Sequence, residues 1–150
     1  MSYYQTLYHI VFRTKSSEKS IPAAQREPLF RYIWGFIKNN HCVLFRINCM
    51  EDHIHILSDL HPSISLADFV RDIKVSSSKW MKESGLFPGF SGWGSGYCAI
   101  SCSHSDRDAV AEYIKNQQEH HKKESFQDEI RRLIQEQGIE QEEKWFWVDN

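Results

Sequence analysis

Val43-Leu-Phe-Arg-Ile-Asn-Cys49 and His53-Ile-His-Ile-Leu-Ser-Asp-Leu60, separated only by Met50-Glu-Asp52, decide how this chain is read. Both runs are rich in residues that suit a pleated, half-buried surface, and three residues between them leave room for little but a tight antiparallel hairpin. Upstream, Thr6-Leu-Tyr-His-Ile-Val-Phe-Arg-Thr14 has the same strand character. A loop over 15–22 ends at Pro22, and Leu29, Ile33, Phe36 and Ile37 then recur at helical spacing from about Gln25 to Asn40, with Pro28 in the first turn. Downstream, Pro62 and Ser63 break the chain, and Ser65 is placed to cap a helix running to about Ser84. Residues 85–96 hold five of the seven glycines with Phe87, Phe90 and Trp93 between them, which marks a loop with aromatic anchors. Tyr97 to Ser103 reads as a fourth strand, followed by a helix from Ser105 or Asp106 to about Lys123 and another from Phe126 to Gln137. The order predicts an α+β fold: a ferredoxin-like or RRM-like βαββαβ antiparallel sheet with helices on one face, plus C-terminal helices.

A chain of 150 residues has the length of one domain, and 41% apolar with 13% aromatic residues is enough for a core. The 18 basic and 20 acidic residues sum to −2, which excludes a simple basic nucleic-acid glue. No stretch reaches the roughly 18 to 20 apolar residues of a membrane span, and the opening Met1-Ser-Tyr-Tyr-Gln-Thr6 is not expected to act as a signal peptide. A cytoplasmic protein is expected. Its four cysteines form no CxxC pair and read as buried small hydrophobes in a reducing compartment.

Three features carry candidate chemistry. On a strand, residues two apart share a face, so His53 and His55 would project together about 6 to 7 Å apart, a chelating pair. Two surface histidines on a half-exposed sheet would have the same spacing. On a helix, Tyr113, Asn116, Gln117, His120 and His121 fall within a band of roughly 140°, although Val110, Tyr113 and Ile114 also have the spacing of packing residues. Between Ser65 and Ser84, Leu66, Phe69, Val70, Ile73 and Trp80 make one helix face. Arg71, Lys74, Lys79 and Lys82 make another, beside a Ser76-Ser77-Ser78 run expected to be exposed. Such a stripe suits a phosphate backbone, or simply water. A zinc set of Cys42, Cys49, His53 and His55 matches no usual spacing, and the two cysteines would lie at opposite ends of one strand.

Glu51-Asp52 followed by His53-Ile54-His55 resembles the HUH motif (histidine, bulky hydrophobe, histidine) of the single-tyrosine transposases of the smallest bacterial insertion sequences, the IS200-like family. Relatives of that family act at repetitive extragenic palindromes. The resemblance also covers His9-Ile-Val-Phe, Phe69-Val-Arg-Asp-Ile-Lys, Gly96-Tyr97 and, most specifically, Tyr113-Ile-Lys-Asn-Gln-Gln-Glu-His-His121. Glu51 stands where many members have proline, and Trp93-Gly94 replaces a common Trp-Gln.

The resemblance implies a catalytic domain over 1–125, with 126–150 as a C-terminal helix and acidic, aromatic tail of the same domain. It implies cleavage and rejoining of single-stranded DNA at hairpin-containing ends through a 5′-phosphotyrosine on Tyr113. Mg²⁺ or Mn²⁺ would be held by His53, His55 and Gln117, in a homodimer. Arg71, Lys74, Lys79, Lys82, Trp93 and Tyr97 are the expected DNA contacts, and Asn116, His120 and His121 are possible auxiliaries. Two other readings stay open: a non-catalytic DNA or RNA hairpin-binding module on the same fold, and an unrelated metalloenzyme taking Asp59 or Glu51 as third ligand.

Overall fold

The computed structural model describes residues 1–149. Four strands, β1 (Leu7–Arg13), β2 (Leu44–Cys49), β3 (His53–Asp59) and β4 (Cys98–Cys102), form one antiparallel sheet in the order β2-β3-β1-β4. This is the expected split arrangement, with the two strands that carry histidines, β1 and β3, at its centre. Their register sets Val11 against His55, His9 against Leu57 and Arg13 against His53.

Strand alternation divides the side chains between two faces. Ile10, Phe12, Ile54 and Ile56 point to the face covered by α1 (Arg26–Asn39) and α2 (Leu66–Ser84), where they meet Leu29, Ile33, Ile37, Phe69, Val70 and Ile73. Each such fully buried aliphatic side chain contributes on the order of 1.5–3 kcal/mol. Ser65 caps α2 as expected, its hydroxyl accepting from the Asp68 amide at 3.1 Å.

The opposite face carries Leu7, His9, Val11, Arg13, His53, His55 and Leu57. It is covered by the C-terminal helices α3 (Arg107–Lys115), α4 (Gln117–His120) and α5 (Phe126–Glu136). The helix read as continuous to about Lys123 is therefore broken, at Asn116 (φ −95°, ψ 19°). The break has a tertiary cause. Asn48 of β2 donates to the Ile114 and Lys115 carbonyls at 2.9 and 3.1 Å, and Gln118 pairs with Asn48 amide to amide at 2.8 and 2.9 Å.

The tail folds back over this second face. Phe146 is buried with Val11, Cys98, Ile130 and Leu133. Its backbone passes so close to Gly96 that a Cβ there would lie 3.1 Å from Phe146 Cα.

Candidate active site

The second face of the sheet has a polar centre. His55 is fully buried and His53 and His9 nearly so. β3 aims His53 and His55 the same way, as its alternation requires. Each has its Nδ1 tied down: His53 by the Asp52 carboxylate at 2.7 Å, His55 by His9 Nε2 at 2.9 Å. Both Nε2 atoms are left facing Glu129, a fully buried carboxylate on α5.

Glu129 organises the site. Its Oε1 lies 3.2 Å from His55 Nε2, 3.0 Å from His121 Nε2 and 3.6 Å from His53 Nε2. Its Oε2 accepts from Gln117 Nε2 at 3.0 Å and from the Tyr113 hydroxyl. Burial alone would raise its pKa, but the bonds from His121, His55 and Tyr113 hold the carboxyl far below the usual range. Tyr113 goes the other way: burial and the facing Glu129 charge push its phenol above the ordinary value, against the opposing Arg132. Arg132 Nη2 donates to the Tyr113 oxygen at 2.7 Å, while the same guanidinium grips Glu124 at 3.0 Å. A cleft of about 300 Å³ lined by His9, Ile100, Tyr113, Arg132 and Leu133, among others, opens on the tyrosine.

The ligating atoms of His53, His55, His121 and Glu129 all lie within 4.8 Å of one another, so this donor set fits a divalent ion. Gln117, the third ligand expected from sequence, is fully buried here. It reaches the pair only indirectly, through His121 (2.9 Å) and Glu129. His120 lies 3.4 Å from the Tyr113 oxygen and bonds Glu124 at 2.6 Å. Asn116 is exposed at the helix break and stays outside the cluster.

The expected DNA-contact residues are dispersed. Arg71, Lys79 and Lys82 are exposed on α2, on the other side of the sheet, and Arg71 pairs with Asp68 and Asp72 at 3.1 Å. Tyr97 is exposed as well. Lys74 is instead committed to the fold, donating to the Gly94 and Gly96 carbonyls at 2.8 Å each. Burial first, then Arg13, lowers its pKa to about 8. Trp93 is committed too: its indole N–H donates to Ser77 Oγ at 2.9 Å and its ring packs on Phe12 and Phe90. The serine run is correspondingly not exposed, since Ser77 is fully buried and Ser76 bonds Tyr32. The alternative ligands also lie elsewhere. Asp59 accepts from the Val43 amide at 2.6 Å, and burial pushes the Cys49 thiol up to about 12.

Sequence reasoning quoted His9 only within the resemblance, without a role, and did not single out Glu129 or Arg132. His9 carries a readable signal, being two residues from Val11 on the inward face of β1. Glu129 carries one as well, lying in the Phe126-Ile130-Leu133 stripe of an amphipathic helix, where an acid is out of place unless partnered.

The buried imidazoles make a pH prediction for metal-free protein. Burial lowers His9 to about 3 and His53 to about 4, the latter despite its Asp52 bond. Unfolded, both titrate near 6.5, so the stability they contribute is complete above about pH 6.5 and lost as pH falls toward the folded values. His121, raised by Glu129 against its own burial, runs oppositely and keeps its contribution in acid. At about pH 5 the loss amounts to roughly 2 kcal/mol for each of His9 and His53. In chelator, the melting temperature is expected to fall by roughly 10 °C between about pH 7.5 and pH 5. A flat profile would contradict neutral burial of both.

The sequence profile of the family described as "Transposase IS200 like" matches residues 2–117. The ISDra2 transposase TnpA of Deinococcus radiodurans is 26% identical over 121 residues, covering 76% of this chain and 85% of the relative. A crystal structure from Deinococcus radiodurans R1 superposes with a TM-score of 0.61 at 25% identity, over 77% of this chain and 93% of that one. A REP-associated tyrosine transposase solved bound to a REP hairpin has a TM-score of 0.60 at 15% identity, over 81% and 74%, and so shares the fold. Since the profile spans well over half of its length, this chain belongs to the IS200-like transposase family, a family of DNA-processing enzymes.

Proposed function

We propose that this protein is a metal-dependent transposase that cleaves and rejoins single-stranded DNA at hairpin-containing ends through a 5′-phosphotyrosine on Tyr113. One observation carries the reading: the Tyr113 hydroxyl, on α3, reaches the same buried carboxylate as the two histidines of β3, all within one chain.

The Tyr113 oxygen attacks phosphorus, an O–P bond to the phenol forms, and the P–O3′ bond breaks to release a 3′-hydroxyl. The phosphodiester energy stays in the tyrosyl linkage, so rejoining by a 3′-hydroxyl needs no other energy source. The phenol is a weak nucleophile while protonated. Glu129 Oε2, which already accepts its hydrogen bond, is placed to hold the departing proton, and Arg132 Nη2 to hold the oxygen and its developing charge. His53 and His55 are the residues that would hold Mg²⁺ or Mn²⁺, with their Nδ1 partners fixing ring orientation. When bound, such an ion supplies Lewis-acid polarisation of the scissile phosphate. Exposed Arg71, Lys79, Lys82 and Tyr97 are the candidates for phosphate and base contact.

The hairpin substrate is supported by the REP hairpin held by the structural relative. Residues 1–125 form the catalytic domain, and 126–150 belong to it. The homodimer implied by the resemblance is part of this reading. Among the described residues no helix is long and apolar enough to cross a membrane, and a role on the cell's DNA would be exercised in the cytoplasm.

The test uses labelled single-stranded hairpin oligonucleotides pooled from the repeats flanking the gene, incubated with Mn²⁺ or Mg²⁺ and run on a denaturing gel. A protein–DNA adduct that disappears in chelator is the expected result. Retarded binding with no adduct under any metal would replace this reading with that of a hairpin-binding module.

A further inference from the structure

The buried cluster has more acceptors than protons to fill them. The ionised Asp52 carboxylate accepts from His53 Nδ1, which puts that ring's proton on Nδ1 and leaves Nε2 as a bare lone pair. That lone pair faces Glu129 Oε1 at 3.6 Å and His121 Nε2 at 3.2 Å. His121 Nε2 can offer one hydrogen, yet it lies within reach of three acceptors: Gln117 Oε1 at 2.9 Å, Glu129 Oε1 at 3.0 Å and His53 Nε2. Lone pairs turned on one another in a buried site are costly unless a proton or a metal cation sits between them, and one hydrogen on His121 cannot serve all three acceptors.

The spacing is that of such a cation's ligands. Bonds of about 2.0–2.2 Å give ligand–ligand edges of roughly 2.8 to 3.1 Å in octahedral and roughly 3.3 to 3.6 Å in tetrahedral geometry. Of the six pairs among the four ligating atoms, four are 3.0 to 3.6 Å apart and the other two lie within 4.8 Å, so a small adjustment of the imidazoles closes the shell. The Nδ1 atoms of both β3 histidines are anchored, the usual state of metal-bound imidazoles.

The geometry points to a resident transition-metal site in which Glu129 and His121, both beyond the family-matched residues 2–117, complete the ligand set begun by His53 and His55. Gln117 is then a positioning residue, holding His121 through its Oε1 and Glu129 through its Nε2. Three imidazoles and one carboxylate form a borderline donor set, which binds Mn²⁺, Co²⁺ or Zn²⁺ more tightly than Mg²⁺, a hard ion that keeps its waters and would act here only by its abundance. The inference rests on the proposed role of His53 and His55 as metal ligands and names what stands beside them. It also ties the nucleophile to the metal, because the carboxylate whose Oε1 faces the histidines takes the Tyr113 hydroxyl on its Oε2.

The experiment reads metal binding directly. Chelator-stripped full-length protein is titrated with Co²⁺ by visible absorption and with Mn²⁺ by electron paramagnetic resonance. Wild type is compared with Glu129→Gln, His121→Asn, Gln117→Ala and His55→Ala, each checked for folding by circular dichroism. Expected are a Co²⁺ spectrum altered in Glu129→Gln and in His121→Asn, affinity lowered at least about 100-fold in Glu129→Gln, and a loss no greater than about 10-fold to 100-fold in Gln117→Ala. Millimolar Mg²⁺ is expected not to displace Co²⁺. Should Glu129→Gln fail to fold, the His121→Asn spectrum decides.

Two failures are distinguishable. An unchanged spectrum and affinity in both Glu129→Gln and His121→Asn, with binding abolished in Gln117→Ala and His55→Ala, overturns this inference and leaves the proposed function standing. No binding of either ion by wild type overturns both.

Discussion

Replacing Tyr113 by phenylalanine is expected to remove the covalent protein–DNA adduct entirely, a loss of at least about 1,000-fold, while the protein still folds and still retards hairpin DNA. The oxygen removed is the proposed nucleophile, and phenylalanine offers no replacement. Its structural cost is small because each partner of that oxygen has others. Glu129 keeps His55, His121 and Gln117, and Arg132 keeps Glu124 and Glu136. A loss of about 1–2 kcal/mol follows, or a few degrees in melting temperature. The ring itself still packs beside His9 and His55. Activity and stability therefore separate in this variant, which makes it informative. The nearest alternative nucleophile, His120 Nε2, lies 3.4 Å from the tyrosine oxygen. An adduct that persisted in Tyr113→Phe and was labile in acid would move the chemistry to that imidazole and overturn the tyrosine assignment.

The sheet was legible in the sequence because period-two patterning is local. The runs 43–49 and 53–60 each settle as strands within a residue or two of the expected ends, and the turn between them leaves only one pairing. The C-terminal helices, expected as two and found as three, cover the histidine face of the sheet, a placement their own periodicity did not specify. The break at Asn116 was not legible, because no proline or glycine marks it. Its cause is the amide of Asn48, more than 60 positions earlier, taking two carbonyls from the end of α3. The histidine pair and Tyr113 were visible from spacing and from likeness to a motif. The carboxylate that joins them was not, since Glu129 lies beyond that motif and meets His55 only through the tertiary fold. The lysine stripe shows the opposite limit. Four basic residues share one side of α2, yet Lys74 spends its ammonium on two loop carbonyls, which helical periodicity cannot foresee.

Arg13→Ala is expected to destabilise the protein by about 3–5 kcal/mol, lowering its melting temperature by roughly 10 °C or more, and to leave the segment after residue 137 open to proteases. Arg13 is 1% exposed, among the largest side chains so deeply buried. Its guanidinium pairs with Asp149 at 2.8 Å, donates to the Phe146 carbonyl at 3.3 Å and lies 5.6 Å from the centre of the Trp147 ring. It thus ties the tail to β1 at three points, directly across from His53 in the β1–β3 register. Asp149 is the lesser half of the clasp, since its side chain is 30% exposed and can return to water. Asp149→Ala, which leaves the buried guanidinium its carbonyl acceptors but no counter-charge, is expected to cost about 1–3 kcal/mol. The larger loss in Arg13→Ala comes from the emptied volume and from the freed Phe146 backbone, the tail keeping its bonds from Ser95 to Val148 and from Ser16 to Asp149. The consequence reaches the site, because Phe126 stacks on the His53 ring at 3.7 Å and is itself packed by Phe146 and Trp147. Thermal melts with limited proteolysis separate the contributions. Equal shifts in Arg13→Ala and Asp149→Ala would assign the clasp to the ion pair, whereas recovery of most of the loss in Arg13→Met would assign it to the buried stem.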